Sequence, residues 1–166
     1  SGLPDLHEKF LRKTMKVLSI LWATIFSMNV FADNGYIEPV TDRIAKEECN
    51  ACHFAFPAMM LPQASWKKIL GNLENHFGED ASLDSRTRQH IGQYLVSRSG
   101  DASSTPSKFV RGLDNGNPPI RITETEYWIE KHLHISEEKL QSGLAGLKAS
   151  CAVCHLRAVN GIYRYE

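Results

Sequence analysis

The sequence predicts an all-α fold in which short helices are joined by long loops. Two segments, Ala64 to Phe77 and Leu83 to Ser97, have apolar residues at the spacing of an amphipathic helix. Prolines and glycines interrupt the chain between the helical segments. No pair of segments has the alternating pattern of paired strands. These observations together indicate a small multi-helix domain.

Local signals place the elements of the first half. Pro39 to Glu48 has modest helical character and leads into a cysteine motif. Phe54 to Pro62 is apolar but contains two prolines, which predicts an irregular loop. Gly78 is the expected C-cap of the helix from Ala64 to Phe77. His76 is therefore predicted to lie at the end of that helix, on its buried face.

Other signals place the elements of the second half. Gly100 to Pro119 is rich in Gly, Ser, Asn and Pro, which predicts a long surface loop. Thr123 to Glu126 has the pattern of a capping box and predicts the start of a short helix. Trp128 and His132 are four residues apart on that helix, so they share a face. Ser136 marks another helix start.

All four cysteines belong to two copies of the motif Cys-x-x-Cys-His, at Cys49 to His53 and at Cys151 to His155. The second copy lies in a helical segment from Leu147 to Leu156. This motif attaches a c-type haem, because its thiols bond to the porphyrin vinyl groups and its histidine ligates the iron. We therefore predict two covalent haems c, attached through Cys49, Cys52, Cys151 and Cys154, with His53 and His155 as proximal iron ligands.

Three other interpretations of the cysteines are weaker. A zinc site would need its two cysteine pairs close in sequence, whereas Cys52 and Cys151 are far apart. Two disulfides are compatible with the even cysteine count of an exported protein. A thioredoxin-like redox pair would need a strand–helix pattern around the motif, which is lacking. Neither zinc nor disulfides explain a histidine after each pair.

Each iron needs a sixth ligand or an open site. Met59 and Met60 are the only methionines after the N-terminal segment and could serve at most one haem. The histidines outside the two motifs and that segment are His76, His90, His132 and His134. We predict His76 and His132 as the distal ligands, because both lie on helix faces beside aromatic residues, with His90 and His134 as their respective rivals. Proximity in sequence pairs His76 with the first motif and His132 with the second, although a crossed arrangement stays open.

The N-terminal segment has the pattern of a secretory signal peptide. A basic cluster at Arg12, Lys13 and Lys16 precedes an almost wholly apolar run from Val17 to Ala32 that ends in small residues. The run is short for a membrane span, so cleavage before Asp33 is expected and a retained anchor is the alternative. The chain is thus predicted to act in the bacterial periplasm, with no membrane span after cleavage.

The predicted domain organisation follows from these segments. Residues 1–32 comprise an N-terminal extension and the signal peptide, and both are removed. Residues 33–166 form one dihaem domain, divided into a first haem half (33–99), a linking loop (100–119) and a second haem half (120–166). The whole chain has 19 basic and 19 acidic residues, and removal of residues 1–32 leaves a weakly acidic domain. No basic surface for nucleic acid is indicated.

Several segments resemble the bacterial dihaem cytochrome c family. These segments are Cys49 to Pro62, His76 to Leu83, Arg121 to Thr123 with Trp128 and His132, and Cys151 to His155. The resemblance implies a small cytochrome c-like fold wrapped around two haems, with bis-histidine irons whose distal ligands match His76 and His132. It also implies a periplasmic electron carrier that passes electrons between a membrane cytochrome b and a small monohaem, oxygen-binding c-type cytochrome.

The ligand assignment separates the candidate functions. Two irons with histidine on both sides have no vacant site for a gas or a substrate, which predicts an electron carrier rather than an enzyme. The alternative is a haem enzyme or gas sensor in which one iron is open. A zinc-binding interaction module is a third possibility.

Overall fold

The computed structural model describes residues 36–104, 106–114, 116–141 and 150–164. These residues belong to one compact unit. The predicted signal segment, residues 1–32, lies outside them, as does most of the stretch preceding the second motif. The described helices are α1 (Arg43–Asn50), α2 (Gln63–Leu70), α3 (Ser85–Ser97), α4 (Glu126–His132), α5 (Glu137–Gln141) and α6 (Cys151–Cys154).

The predicted all-α class is confirmed. The described residues also contain short 3-10 turns, at Ala58–Met60, Leu73–Asn75, Ile122–Glu124 and Ala158–Asn160. The described residues form no strand, and their only β-type pairings are two isolated bridges. None of the helices in the described part of the chain is long and apolar enough to cross a membrane.

In the first half, α3 packs against both α2 and α1. The side chain of Asp42 accepts the Ala45 N–H and caps α1, and Asp84 caps α3 in the same way. The Trp66 indole N–H donates to the Ala58 carbonyl at 2.7 Å, which fixes the loop predicted before α2. The buried residues between these elements are Val40, Ala45, Ala55, Ala58, Leu61, Trp66, Ile91 and Leu95.

The predicted helix from Ala64 to Phe77 is wrong at its C-terminal end. Helix α2 ends at Leu70, because Gly71 and Asn72 follow and both are poor helix formers. The chain then makes a 3-10 turn and a tight turn in which Phe77 and Gly78 have φ of 58° and 104°. Gly78 is therefore a turn residue and not the C-cap of the helix.

The segment 100–119 packs onto the first half. Phe109 and Val110 are buried in a second cluster with Ile37 and Met60. Ser107 donates its hydroxyl to a backbone carbonyl of the loop that precedes α2. The segment therefore adds its own apolar residues to the core, which its polar composition did not indicate.

Helix α4 begins two residues later than the predicted capping box. Thr125 is the N-cap, since its Oγ1 accepts the Trp128 N–H, and Thr123 lies in the 3-10 turn before it. Helix α5 begins after Ser136 as predicted, and the Ser136 hydroxyl accepts the Lys139 N–H.

The beginning and the end of the described chain are joined. The N–H of Ile37 donates to the Gly161 carbonyl at 2.7 Å, beside an isolated bridge between Tyr36 and Ile162. Gly161 has φ 78°, and a Cβ there would lie 2.3 Å from the Ile37 carbonyl oxygen. Only glycine fits so close an approach.

Candidate haem sites

The first cysteine motif begins in the last turn of α1 and leaves the helix at Ala51. The Asn50 side chain accepts the Ala55 N–H at 2.8 Å and holds the chain just beyond the motif. The His53 Nδ1 lies 2.8 Å from the Phe54 carbonyl oxygen. Since a carbonyl can only accept, Nδ1 carries the proton and Nε2 keeps a free lone pair. A histidine held in this way is prepared to ligate a metal.

The His76 ring lies opposite the His53 ring. The two ring centres are 6.0 Å apart and their planes are nearly parallel, at 18°. Two imidazoles that share one metal, each bound at about 2 Å, have ring centres about 6 Å apart. The tight turn presents His76, because the His76 N–H donates to the Glu79 carbonyl at 2.8 Å.

The second motif forms α6 and has a matching pair of histidines. His132, in the last turn of α4, and His155 have ring centres 6.1 Å apart and planes at 85°. The His132 Nδ1 lies 2.7 Å from the Trp128 carbonyl oxygen, so its Nε2 is the free nitrogen. Trp128 also stacks on the His132 ring at 4.2 Å, as their shared helix face predicted.

The rival ligands lie in neither pair. The His90 ring binds the carboxylate of Asp42, the N-cap residue of α1, at 2.8 Å, and its side chain is 44% exposed. His134 is exposed beyond the end of α4. Met60 is 3% exposed in the second core cluster, with Met59 packed against that cluster. The structure therefore brings each motif histidine together with the distal histidine predicted from sequence proximity.

Burial sets the charge state of these side chains. Desolvation lowers the pKa of His76, with smaller effects from His53 and Arg121. Desolvation likewise lowers the pKa of His132. A lowered pKa favours the neutral form of each imidazole, which has a lone pair available for metal binding. Burial raises the pKa of the Cys49 thiol and that of Cys151 to about 11. Such apolar surroundings suit an uncharged thioether.

Both sites have surroundings that fit a porphyrin. Exposed apolar side chains flank the second histidine pair, namely Ile129, Leu133, Val153 and Leu156. A cleft of about 350 Å³ beside His76 is lined by Phe77, Lys68 and Arg121 among others. The Arg121 guanidinium lies 4.2 Å from the centre of the Phe77 ring. The apolar side chains suit the apolar ring of a porphyrin, and the cationic Lys68 and Arg121 suit its carboxylate substituents.

The four cysteines lie within the described residues and are free of disulfides. In the part of the chain that the structure describes, no three potential metal ligands converge.

Two attachment motifs, each with a second histidine facing its own, define a c-type cytochrome with two haems. The family model for dihaem cytochrome c matches residues 45–163. The chain belongs to the dihaem cytochrome c family. It carries two haems c at the pairs Cys49/Cys52 and Cys151/Cys154, and membership of this family implies electron transfer.

Solved structures agree with this assignment. A diheme cytochrome c from Rhodobacter sphaeroides is 41% identical, with a TM-score of 0.70 over 75% of this chain and 98% of that one. A second structure of DHC from the same organism is 38% identical, with a TM-score of 0.62 and coverage of 75% and 99%. A diheme cytochrome type c from Shewanella baltica is 33% identical, with a TM-score of 0.60 and coverage of 74% and 86%. A comparison with curated protein sequences gave no match.

Two side chains that contact the histidine-bearing segments are not predicted by the sequence patterns. Asn50 occupies a variable position of the first motif, yet its side chain holds the loop that orients His53. Arg121 was noted only as part of a family segment, yet it reaches the turn that presents His76. Motif spacing gave no signal for either contact, because the Asn50 contact depends on the turn that follows the motif and the Arg121 contact on how distant segments meet.

Proposed function

We propose that this protein transfers electrons through two low-spin haems, each with histidine on both sides of the iron. His53 and His76 would ligate the first iron, and His132 and His155 the second. The observation that carries the proposal is the pair of ring separations, 6.0 and 6.1 Å, each of which leaves space for one metal between two imidazoles.

The haems supply a one-electron redox couple, and the residues hold and tune it. The carbonyl oxygens of Phe54 and Trp128 accept the Nδ1–H of His53 and His132, which fixes the ring orientation and makes Nε2 the ligating atom. Stacking of Trp128 on His132 shields that ligand from water. Ligands that stay in place when the iron changes charge keep the reorganisation small, which favours fast electron transfer.

Histidines on both sides of each iron would argue against the alternative of an enzyme or gas sensor. Each iron would have a ligand on both sides, so neither would offer a vacant position to oxygen, nitric oxide or peroxide. Two histidines, without a methionine thioether, also favour a fairly low reduction potential. The buried position of Met60 in a separate core cluster supports this ligand set.

The site of action and the partners are part of the same proposal. The signal-peptide pattern of the N-terminal segment supports export to the periplasm, where the protein would have no membrane span after cleavage. The family resemblance supports electron transfer between a membrane cytochrome b and a small monohaem, oxygen-binding c-type cytochrome. The nearly balanced charge of the chain gives no reason to expect a nucleic-acid partner.

The test is an absorption and resonance Raman spectrum of the purified holoprotein, oxidised and reduced, with and without carbon monoxide. Two six-coordinate low-spin haems that do not bind carbon monoxide are expected. A five-coordinate component, or a carbon monoxide adduct on half of the haem, would replace the electron-carrier proposal with a gas-binding or enzymatic one.

A further inference from the structure

Two buried polar atoms at the second haem site lack hydrogen-bond partners. They are the Nδ1 of His155 and the hydroxyl oxygen of Tyr163, and no other such side-chain atoms occur in the described residues. Leaving a buried polar group without a hydrogen bond destabilises the folded state. The two unpaired atoms belong to neighbouring side chains, so one hydrogen bond between them would satisfy both.

The unpaired nitrogen distinguishes His155 from two of the other proposed ligands. His53 and His132 each place Nδ1 within 2.8 Å of a backbone carbonyl oxygen. The backbone N–H of His155 is satisfied by the Cys151 carbonyl at 2.8 Å, but its ring has no such neighbour. A ligating histidine almost always donates its second ring N–H. Another group must therefore supply the acceptor at His155.

Tyr163 is the side chain placed to do this. Its ring centre lies 5.6 Å from that of His155, with the planes tilted by 51°. The two atoms are not hydrogen-bonded as placed, so the contact requires a change of side-chain torsion angles with the backbone unchanged. The backbone just before Tyr163 is fixed by the pairing of Gly161 and Ile162 with the start of the domain. The phenol is thus held beside the histidine.

We propose that Tyr163 is a positioning residue for the second haem, and that its hydroxyl oxygen accepts the Nδ1–H of His155. This inference rests on the proposed ligation of the iron by His155. The contact would fix the His155 ring plane and assign its proton to Nδ1, so that Nε2 faces the metal. It would also raise the basicity of that ligand and favour the ferric state of the second haem.

The proposal is tested on the reduced, diamagnetic holoprotein labelled with ¹⁵N-histidine. We expect the His155 Nδ1–H to show a nuclear Overhauser contact to Tyr163 in the unmodified protein. In Tyr163→Phe the solvent exchange of this proton should become about tenfold faster, as expected for one lost hydrogen bond. The reduction potential of the second haem should rise while that of the first stays unchanged.

Tyr94→Phe is the matched control, because it removes a phenol that hydrogen-bonds Thr41 in the first half. It should leave the exchange of the His155 proton unaltered. A protected His155 Nδ1–H that persists in Tyr163→Phe, or a missing Overhauser contact, would overturn the role of Tyr163. The nitrogen shifts of His155 report ligation independently, so an unligated ring would overturn both this inference and the proposed iron ligation.

If Tyr163→Phe lost its second haem, the solvent exchange of the His155 Nδ1–H in the unmodified protein would decide: slow exchange supports the hydrogen bond, and exchange as fast as that of an unbonded imidazole N–H would overturn it.

Discussion

Replacing His76 with alanine should open the first iron and leave the second unchanged. The His53 and His76 rings are 6.0 Å apart, and an alanine methyl group cannot span the distance from the backbone of residue 76 to a metal. One of two haems is affected, so about half of the haem absorbance should become high-spin. Carbon monoxide should bind the reduced variant with one equivalent per protein.

The assay is a carbon monoxide titration of the dithionite-reduced protein, followed by difference spectra. His90→Ala is the matched control, since His90 is also a partly exposed histidine of the first half but pairs with a carboxylate. It should remain fully low-spin and bind no carbon monoxide. Covalent haem content, checked on a denaturing gel, should be two haems in both variants.

Two results would refute the reasoning. An unchanged low-spin spectrum of His76→Ala, without carbon monoxide binding, would remove His76 from the site. Binding of two equivalents would mean that the second iron depends on His76 as well, which the separate histidine pairs do not allow.

The remaining predictions concern the second iron, the ligand planes and one helix cap. His132→Ala should open the second iron alone. The check is that carbon monoxide binding by the double variant equals the sum of the binding by His76→Ala and by His132→Ala. The oxidised protein should give two low-spin electron paramagnetic resonance signals, because planes at 18° and 85° split the iron d orbitals very differently; two identical signals would contradict this geometry. Asp42→Ala should lower the free energy of unfolding by about 1 kcal/mol through loss of the α1 cap, measured by denaturant titration against Asp80→Ala. The Ala45 N–H, with a smaller contribution from His90, lowers the pKa of Asp42 below 3.8. The stabilisation should thus be full above pH 3.8 and lost as the pH falls through the folded-state pKa, so a cap effect that persists in stronger acid would contradict the assignment.

Sequence was sufficient for features that depend on short spacings. The cysteine motifs place two thiols and a histidine within five residues, so the chemistry is local. Trp128 and His132 are one helical turn apart, and the structure stacks them as expected. The predicted helix from Leu83 to Ser97 corresponds to α3, which begins two residues later after its Asp84 cap.

Other features depend on tertiary contacts and could not be read from spacing. The apolar residues from Ala64 to Phe77 fit a helical period, but the chain leaves the helix at Gly71 to bring His76 opposite His53. Both Thr123 and Thr125 are plausible caps by sequence, and Thr125 takes the role because a 3-10 turn precedes it. Phe109 is buried because the segment 100–119 packs onto the first half, and no hydrophobic periodicity in the sequence indicates this packing.

The join between Ile37 and Gly161 also bears on the order in which the domain forms. The two residues are far apart in sequence, and their contact closes the chain between them into one loop. Contacts between residues so distant in sequence form late in folding, because the intervening chain must first be confined. The cysteines of both motifs lie inside that loop. We therefore expect this loop to close late in folding, so that both motifs are accessible for haem attachment before the domain closes.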